Sequence, residues 1–492
     1  MTTSDWILAI DLGTTTIKAA AFSPDGKMPA VERREYDFES PHPSWAQIPP
    51  ERVLDAVYEC VRRIVSRMAG SAPLAIGFSS QGHTFICRDR DGRAVHPYIT
   101  WLDGRAASQA ERILEKFGRR EIFERAGYAA FGGYVPAAKL VWLREREPEL
   151  FSRIASFALI EDDIIQRLTG CAATDYALAG TTGMFDLRRK RWWPEMLEEI
   201  GISESALPGP RQAGAIAGTL LPDIAGQLNL PPGIPVTVGT NDQIAGAIGA
   251  GNVQPGIVTE TTGTAMAAVT TISEPPVSAA AGIPWWGHAV PDCYSALAFC
   301  STAGVVLKWF RDAVWPDASY EEIIRAASTV TAGCEGLVLL PHFSGTGCPD
   351  FLETARGCFC GLELRHGRAH LARAIIEGVS FALKDLVELL SNNCGAIGSV
   401  RSLGGAAQSD IWLQMKADIL SIPVERPVNP EAALAGGMIL AATAIGIYPD
   451  VRTAALKIYH PERIFAPSPI NSEAYHRAYM RYRKAYEQNY GR

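Results

Sequence analysis

One short unit occurs twice in this chain. Ile7-Leu8-Ala9-Ile10 runs into Asp11, the turn Leu12-Gly13-Thr14-Thr15-Thr16 follows, and residues 17–22 resume an apolar run. Far downstream, residues 256–260 lead into Thr261-Thr262-Gly263-Thr264 and then Ala265-Met266-Ala267-Ala268-Val269. Each copy reads as a strand, a turn of small residues and a second strand. Glycine in such a turn lets another group approach the backbone, and threonine hydroxyls place donors beside it. One copy near the start of each half predicts an internally duplicated protein, and 492 residues leave room for two domains.

The remaining segments alternate helix and strand, which predicts an α/β architecture. Residues 49–68 have helical spacing, and residues 74–78 form a buried-type strand ending at Ser79-Ser80-Gln81-Gly82-His83. Residues 336–340 read as another buried strand and residues 371–390 as a long helix. Val236-Thr237-Val238-Gly239 is a strand leading into Thr240-Asn241-Asp242. The Ala/Gly-rich helix expected over 243–251 suits the close packing of two halves, so the boundary is placed after it, giving domains 1–251 and 252–492. Tyr475, Tyr479, Tyr482, Tyr486 and Tyr490 recur at helical spacing and read as a packing face.

Composition excludes several classes of function. Apolar residues make up 47% and charged residues 20%, enough for an ordinary core. A net charge of −7 argues against nucleic acid as partner, because neutralising phosphates needs a basic face. The nearly uncharged run over 432–448 is short for a bilayer crossing and is expected to be a buried helix, so no membrane partner is expected. No basic segment followed by an apolar stretch opens the sequence, and the ten scattered cysteines suit reduced thiols in a cytoplasmic protein. Cys358 and Cys360 read as two residues on one face of a strand.

Four segments carry a resemblance to the FGGY family of carbohydrate kinases. They are Asp11-Leu12-Gly13-Thr14-Thr15; residues 134–143; Gly357-Cys358-Phe359-Cys360-Gly361-Leu362, followed after seven residues by residues 370–377; and residues 403–412. The resemblance covers nearly the whole chain. It implies two actin-like (ribonuclease H-like) α/β domains closing on a cleft for ATP and sugar, with the duplicated turns as phosphate-binding loops.

Phosphoryl transfer needs positioning, charge neutralisation and a carboxylate to take the hydroxyl proton. Asp242 aligns with the family's catalytic aspartate, although its place also suits a cap for the following helix. By the same resemblance Asp11 helps hold Mg²⁺, which takes only one or two carboxylates. Gly13, Thr14 and Thr15 approach the phosphates from the first half, and Gly263 and Thr264 from the second. Lys18 either adds positive charge there or faces solvent. Gln81, Gly82 and His83 resemble a substrate-contacting segment of xylulokinases, as do Trp101 and Asp103, and Asp242 completes the expected sugar site. His83 also suits a structural histidine with its bonds satisfied, and Arg105 either orients Asp103 or pairs on the surface. Gly404, Gly405, Ala406 and Ser409 are expected to admit adenine and ribose, with residues 431–436 continuing that wall.

Three departures stand out. Arg146 ends the segment that begins at Tyr134, where the family has other polar residues. Glu161 stands before Asp162 where many members have Lys, which removes an expected contact between domains. Ser344-Gly345-Thr346-Gly347-Cys348-Pro349-Asp350 replaces a segment carrying an acid and a base. A ketopentose such as D-xylulose is the first expectation for substrate, with gluconate, ribulose, fuculose, glycerol and erythritol as alternatives. An actin- or chaperone-like ATPase and a silent sugar-binding relative are the rivals, and family analogy allows a homodimer.

Overall fold

The computed structural model describes residues 5–69 and 71–491. Its two large sheets repeat one pairing scheme. In the first, Ala30–Glu35, Thr16–Phe22, Ile7–Leu12, Ile76–Ser80, Pro235–Thr237 and Ile216–Thr219 lie in that order. In the second, Tyr294–Cys300, Met266–Ile272, Ile257–Thr262, Ser399–Leu403, Val424–Pro427 and Pro461–Phe465 lie in order, with Trp285–Gly287 added at the edge. Neighbours in both pair antiparallel, antiparallel, parallel, parallel, antiparallel. The duplicated hairpin is therefore the seed of a duplicated sheet.

Strand Ile7–Leu12 is buried along its whole length because both faces are covered. Leu8, Ile10 and Leu12 pack with residues of helix Pro50–Arg67, while Ile7 and Ala9 face the cluster containing helix Ala432–Ala444. Asp11 shares the odd-numbered face. Side-chain alternation thus points it toward the helices that join the two halves.

Those joining helices are Asp242–Gly249 and Ala432–Ala444, and they pack against each other. The contact has no room for side chains. A Cβ on Gly436 would lie 2.0 Å from the Ala245 carbonyl oxygen, and one on Gly249 1.9 Å from that of Ala432. The nearly uncharged run beginning at Ala432 is the buried helix expected, and among the described residues no helix is long and apolar enough to cross a membrane. Helix Pro469–Tyr490 buries its tyrosine stripe against Val338, Leu340 and Phe381. Cys358 and Cys360 lie on one strand with sulfurs 3.6 Å apart.

Candidate active site

Parallel pairing in the first sheet brings three strand ends together. Asp11 is in register with Ser79, Leu12 with Ser80, and Ser80 bridges to Asn241. The Ser79 hydroxyl donates to Asp11 Oδ1 at 2.8 Å. Asp242 opens its helix, but the cap is Asn241, whose side chain accepts the Gln243 amide. That same amide lies 2.7 Å from Asp242 Oδ1, so the carboxylate sits at the positive end of a helix dipole.

Burial raises Asp242 to about 7, and the Asp11 charge pushes in the same direction. Burial raises Asp11 to about 6, against the lowering effects of the Ser79 hydroxyl and Lys18. Two carboxylates close enough to repel are thus tuned into the range where a proton can be taken and returned. Lys18, whose role the sequence left open, pairs with Glu431 at 2.6 Å and ties the first sheet to the start of helix Ala432–Ala444.

The first turn is tight: the Gly13 amide donates to the Thr16 carbonyl at 3.2 Å, and a Cβ on Gly13 would lie 2.8 Å from that oxygen. Thr15 is exposed at its tip, and the Thr14 hydroxyl accepts the Trp101 indole N–H at 2.8 Å. Trp101 keeps 40% of its surface exposed beside this turn. The Gln81 amide nitrogen donates to the Gly13 carbonyl at 3.0 Å, and its oxygen accepts the Thr84 hydroxyl at 2.8 Å. Gln81 therefore braces the first turn from below. Asp103 is fully buried; Oδ1 receives Arg105 Nε at 2.8 Å, Oδ2 receives the Ala46 amide at 2.7 Å, and Arg105 stacks 3.8 Å above the Trp45 ring. Of the two alternatives for Arg105, orienting Asp103 is the one observed.

Gly82 is hemmed in by Thr181 and by Asn241 Nδ2, 3.2 Å from where its Cβ would stand. His83 follows with φ of 62°, a conformation unfavourable for a side-chain-bearing residue. Its ring meets Tyr134 at 5.3 Å, Tyr128 at 6.0 Å and Trp286 at 6.5 Å between centroids. Its Nε2 is buried with no hydrogen-bond partner, so the satisfied structural histidine is not what forms. Burial lowers the imidazole to about 3, leaving it neutral at pH 7.

The second turn lies in the other half. Thr262, Gly263 and Thr264 line a cavity of about 340 Å³ together with Gly304, Gly405, Ala406 and Ser409. Ser409 also caps helix Asp410–Leu420 by accepting the Trp412 amide, while Gly404 takes φ of 76° at the turn before it. Beneath the turn, fully buried Lys416 pairs with Glu260 and donates to the Thr262 hydroxyl at 3.1 Å. Residues 431–436 do not line this cavity; Glu431 pairs with Lys18, and Gly436 packs on Ala245. Gly436 there serves the close packing of the joining helices.

Glu161, Asp162 and Asp163 are buried within the first half. Asp163 pairs with Arg88 at 2.6 Å, Asp162 Oδ2 accepts the Leu159 amide, and Glu161 Oε1 accepts the Gly239 amide at 2.8 Å. Asp175 holds the Thr240 hydroxyl at 3.0 Å. Glu161 and Asp175 thus brace the segment that leads into Asp242. Sequence reasoning missed Tyr128 and Trp286; the Trp285-Trp286 doublet was the available signal.

Two like sheets joined by a helix pair, with paired carboxylates at one strand end and a glycine-lined cavity in the other half, define a two-domain phosphotransferase. The chain belongs to the FGGY family of carbohydrate kinases: the family's N-terminal domain model matches residues 6–249 and its C-terminal domain model residues 257–445. It is 28% identical over 483 residues to a xylulose kinase of Bacillus subtilis (strain 168), covering 98% of this chain and 96% of that one. It is 29% identical over 456 residues to a gluconokinase of the same organism, covering 90% and 88%. The crystal structure of ligand-bound xylulose kinase from Lactobacillus acidophilus superposes with a TM-score of 0.92 at 26% identity, covering 99% of each chain. The protein is a carbohydrate kinase, a phosphotransferase with an alcohol group as acceptor.

Proposed function

We propose that the chain transfers the γ-phosphoryl group of ATP to a hydroxyl of a ketopentose such as D-xylulose, with Asp242 as the base. One observation carries this reading: a partly buried aspartate, raised to about 7, opens a helix within reach of the Asp11 charge, directly after Asn241, which packs on Gly82. The substrate hydroxyl gives its proton to Asp242 as its oxygen bonds to phosphorus, and ADP leaves. Gly13, Thr14 and Thr15 meet the phosphates from residues 1–251, which also hold the sugar beside His83 and Trp101. Gly263, Thr264, Gly405, Ala406 and Ser409 hold the nucleotide from residues 252–492. Gln81 and Asp103 act one layer back: Gln81 fixes the first turn, and Asp103 fixes the loop that carries Trp101.

Among the described residues no group of three or more His, Cys, Asp or Glu side chains could cage a metal. Asp11, a buried carboxylate with Oδ1 accepting the Ser79 hydroxyl, is a donor that fits Mg²⁺, which binds through one or two carboxylates, waters and substrate phosphates. Asp11 would hold it, and when bound it neutralises phosphate charge. ADP release would be measured with Mg-ATP against pentuloses, hexuloses, aldonates and polyols, beside Asp242→Ala. A strong substrate whose turnover disappears in the variant while its binding persists supports the reading. ADP release that no acceptor raises above background, or turnover that survives in Asp242→Ala, refutes it.

A further inference from the structure

Strand Cys358–Cys360 pairs antiparallel with Val338–Leu340 in a two-stranded sheet. Alternation sends Phe359 to one face, where it packs on the core of the second half, and sends both cysteines to the other. There they meet the cluster of Val338, Leu340, Tyr482 and Tyr486, beside the last turn of helix Pro469–Tyr490. Both thiols are half-buried, their sulfurs lie 3.6 Å apart, and Asn489 Nδ2 approaches Cys360 Sγ at 3.8 Å. Phosphoryl transfer makes no use of this pair.

Local geometry suits a bond between the two sulfurs. Residues two apart on a strand have Cα atoms about 6.6 Å apart, within the range of about 4.4–6.8 Å that a disulfide usually spans. The sulfurs already face each other, so closure needs a tightening of the strand and no turn of its face. The strand can give: its one ladder is to Val338–Leu340, and Gly357 and Gly361 bracket it, Gly361 with φ of 80°. Its cover is the end of a helix, the part that opens most readily. Two sulfurs alone are too few for a zinc site, which takes four ligands, and among the described residues no third His, Cys, Asp or Glu completes a metal-holding group.

We propose that Cys358 and Cys360 are a two-electron dithiol–disulfide site that exchanges with a small-molecule disulfide. The Cys358 thiolate attacks one sulfur of the small disulfide, forming a mixed disulfide and releasing one thiolate. Cys360 then loses its proton to solvent and attacks Cys358 Sγ, closing the ring and releasing the second thiolate. The protein gives up two electrons and two protons, and the small disulfide leaves as two thiols. Burial and the neighbouring Cys358 sulfur raise the Cys360 thiol to about 11, so the first attack falls to Cys358.

The test incubates the native protein with glutathione disulfide, quenches it in acid, unfolds it with iodoacetamide and cleaves it with trypsin. Cleavage after Arg356 and Arg365 leaves both cysteines in the single peptide 357–365. That peptide should appear unalkylated and lighter by two hydrogens, and dithiothreitol before alkylation should restore both sites. In Cys360→Ser the exchange should stop at a glutathione adduct on Cys358, at least about tenfold more abundant than in the parent, because a neighbouring thiol resolves such an adduct. Cys358→Ser should carry at least about tenfold less adduct than Cys360→Ser, and equal adducts would overturn the order of attack. A urea midpoint checks that each variant is folded; where one is not, the parent peptide decides alone. Two alkylated cysteines in the parent peptide, or a parent adduct as abundant as that of Cys360→Ser, overturn the proposal.

Discussion

Asp242→Asn separates the catalytic cost of this carboxylate from its structural cost. The native protein holds the Asp242 proton up to about pH 7, against an ordinary value of 3.8. A carboxyl raised in the folded state favours the native protein below its ordinary value, and that advantage is lost as pH rises through the folded value. Each pH unit separating the two values corresponds to about 1.4 kcal/mol, so ionising Asp242 costs the native state at most about 4 kcal/mol above pH 7. Asparagine has no such cost. Measured as the difference in urea midpoint, the variant should gain on the parent between pH 4 and 7, then level off. Its kcat should fall by about 10²–10⁴, the usual weight of a general base. In the parent, kcat/KM should rise with pH through a value near 7. A stability difference that does not change with pH refutes the assigned burial, and a variant with near-parental kcat refutes the assigned role.

Three other substitutions test neighbouring parts of the site. Asp103→Ala strands the buried Arg105 guanidinium and should cost about 3–5 kcal/mol in unfolding experiments, whereas a direct sugar contact would change KM with little loss of stability. Gly405→Val should fold normally, since nothing lies within 4 Å of its Cβ position, and should raise KM for ATP at least about tenfold with KM for the sugar unchanged. Glu161→Gln should destabilise the protein less than Glu161→Ala, because it keeps an acceptor for the Gly239 amide while burial together with Asp175 and Asp162, which raises the Glu161 carboxyl well above its ordinary value, penalises the ionised form it removes; equal losses in the two variants would refute this.

The architecture was legible because it rests on local pattern. The Asp11 hairpin and its copy at 261–264 are contiguous strings whose turn chemistry announces their geometry, and both become the hairpins that seed the two sheets. The place of Asp242 directly after a strand was legible for the same reason, whereas its reading as a base came from the family resemblance. The roles of Gln81 and Asp103 were harder to read. Their partners, the Gly13 carbonyl and the Ala46 amide, are backbone atoms more than fifty residues away, and no side-chain pattern reports such contacts. Residues 431–436 were ambiguous for a related reason: small residues serve equally to admit a ligand or a helix, and only the fold shows that Ala245 is the neighbour of Gly436. The place of Trp286 beside His83 was invisible because it depends on an edge strand meeting the opposite half. The Glu161 departure proved local, since its partner is the Gly239 amide of the same half.

The most direct test of the central claim is a ³¹P NMR time course of Mg-ATP with the purified protein and one neutral sugar at a time. The account predicts that, for at least one ketose or polyol, the γ-phosphorus signal is replaced by a phosphate monoester in step with ADP, and that Asp242→Asn abolishes this. Inorganic phosphate as the sole product with every sugar tried would contradict it.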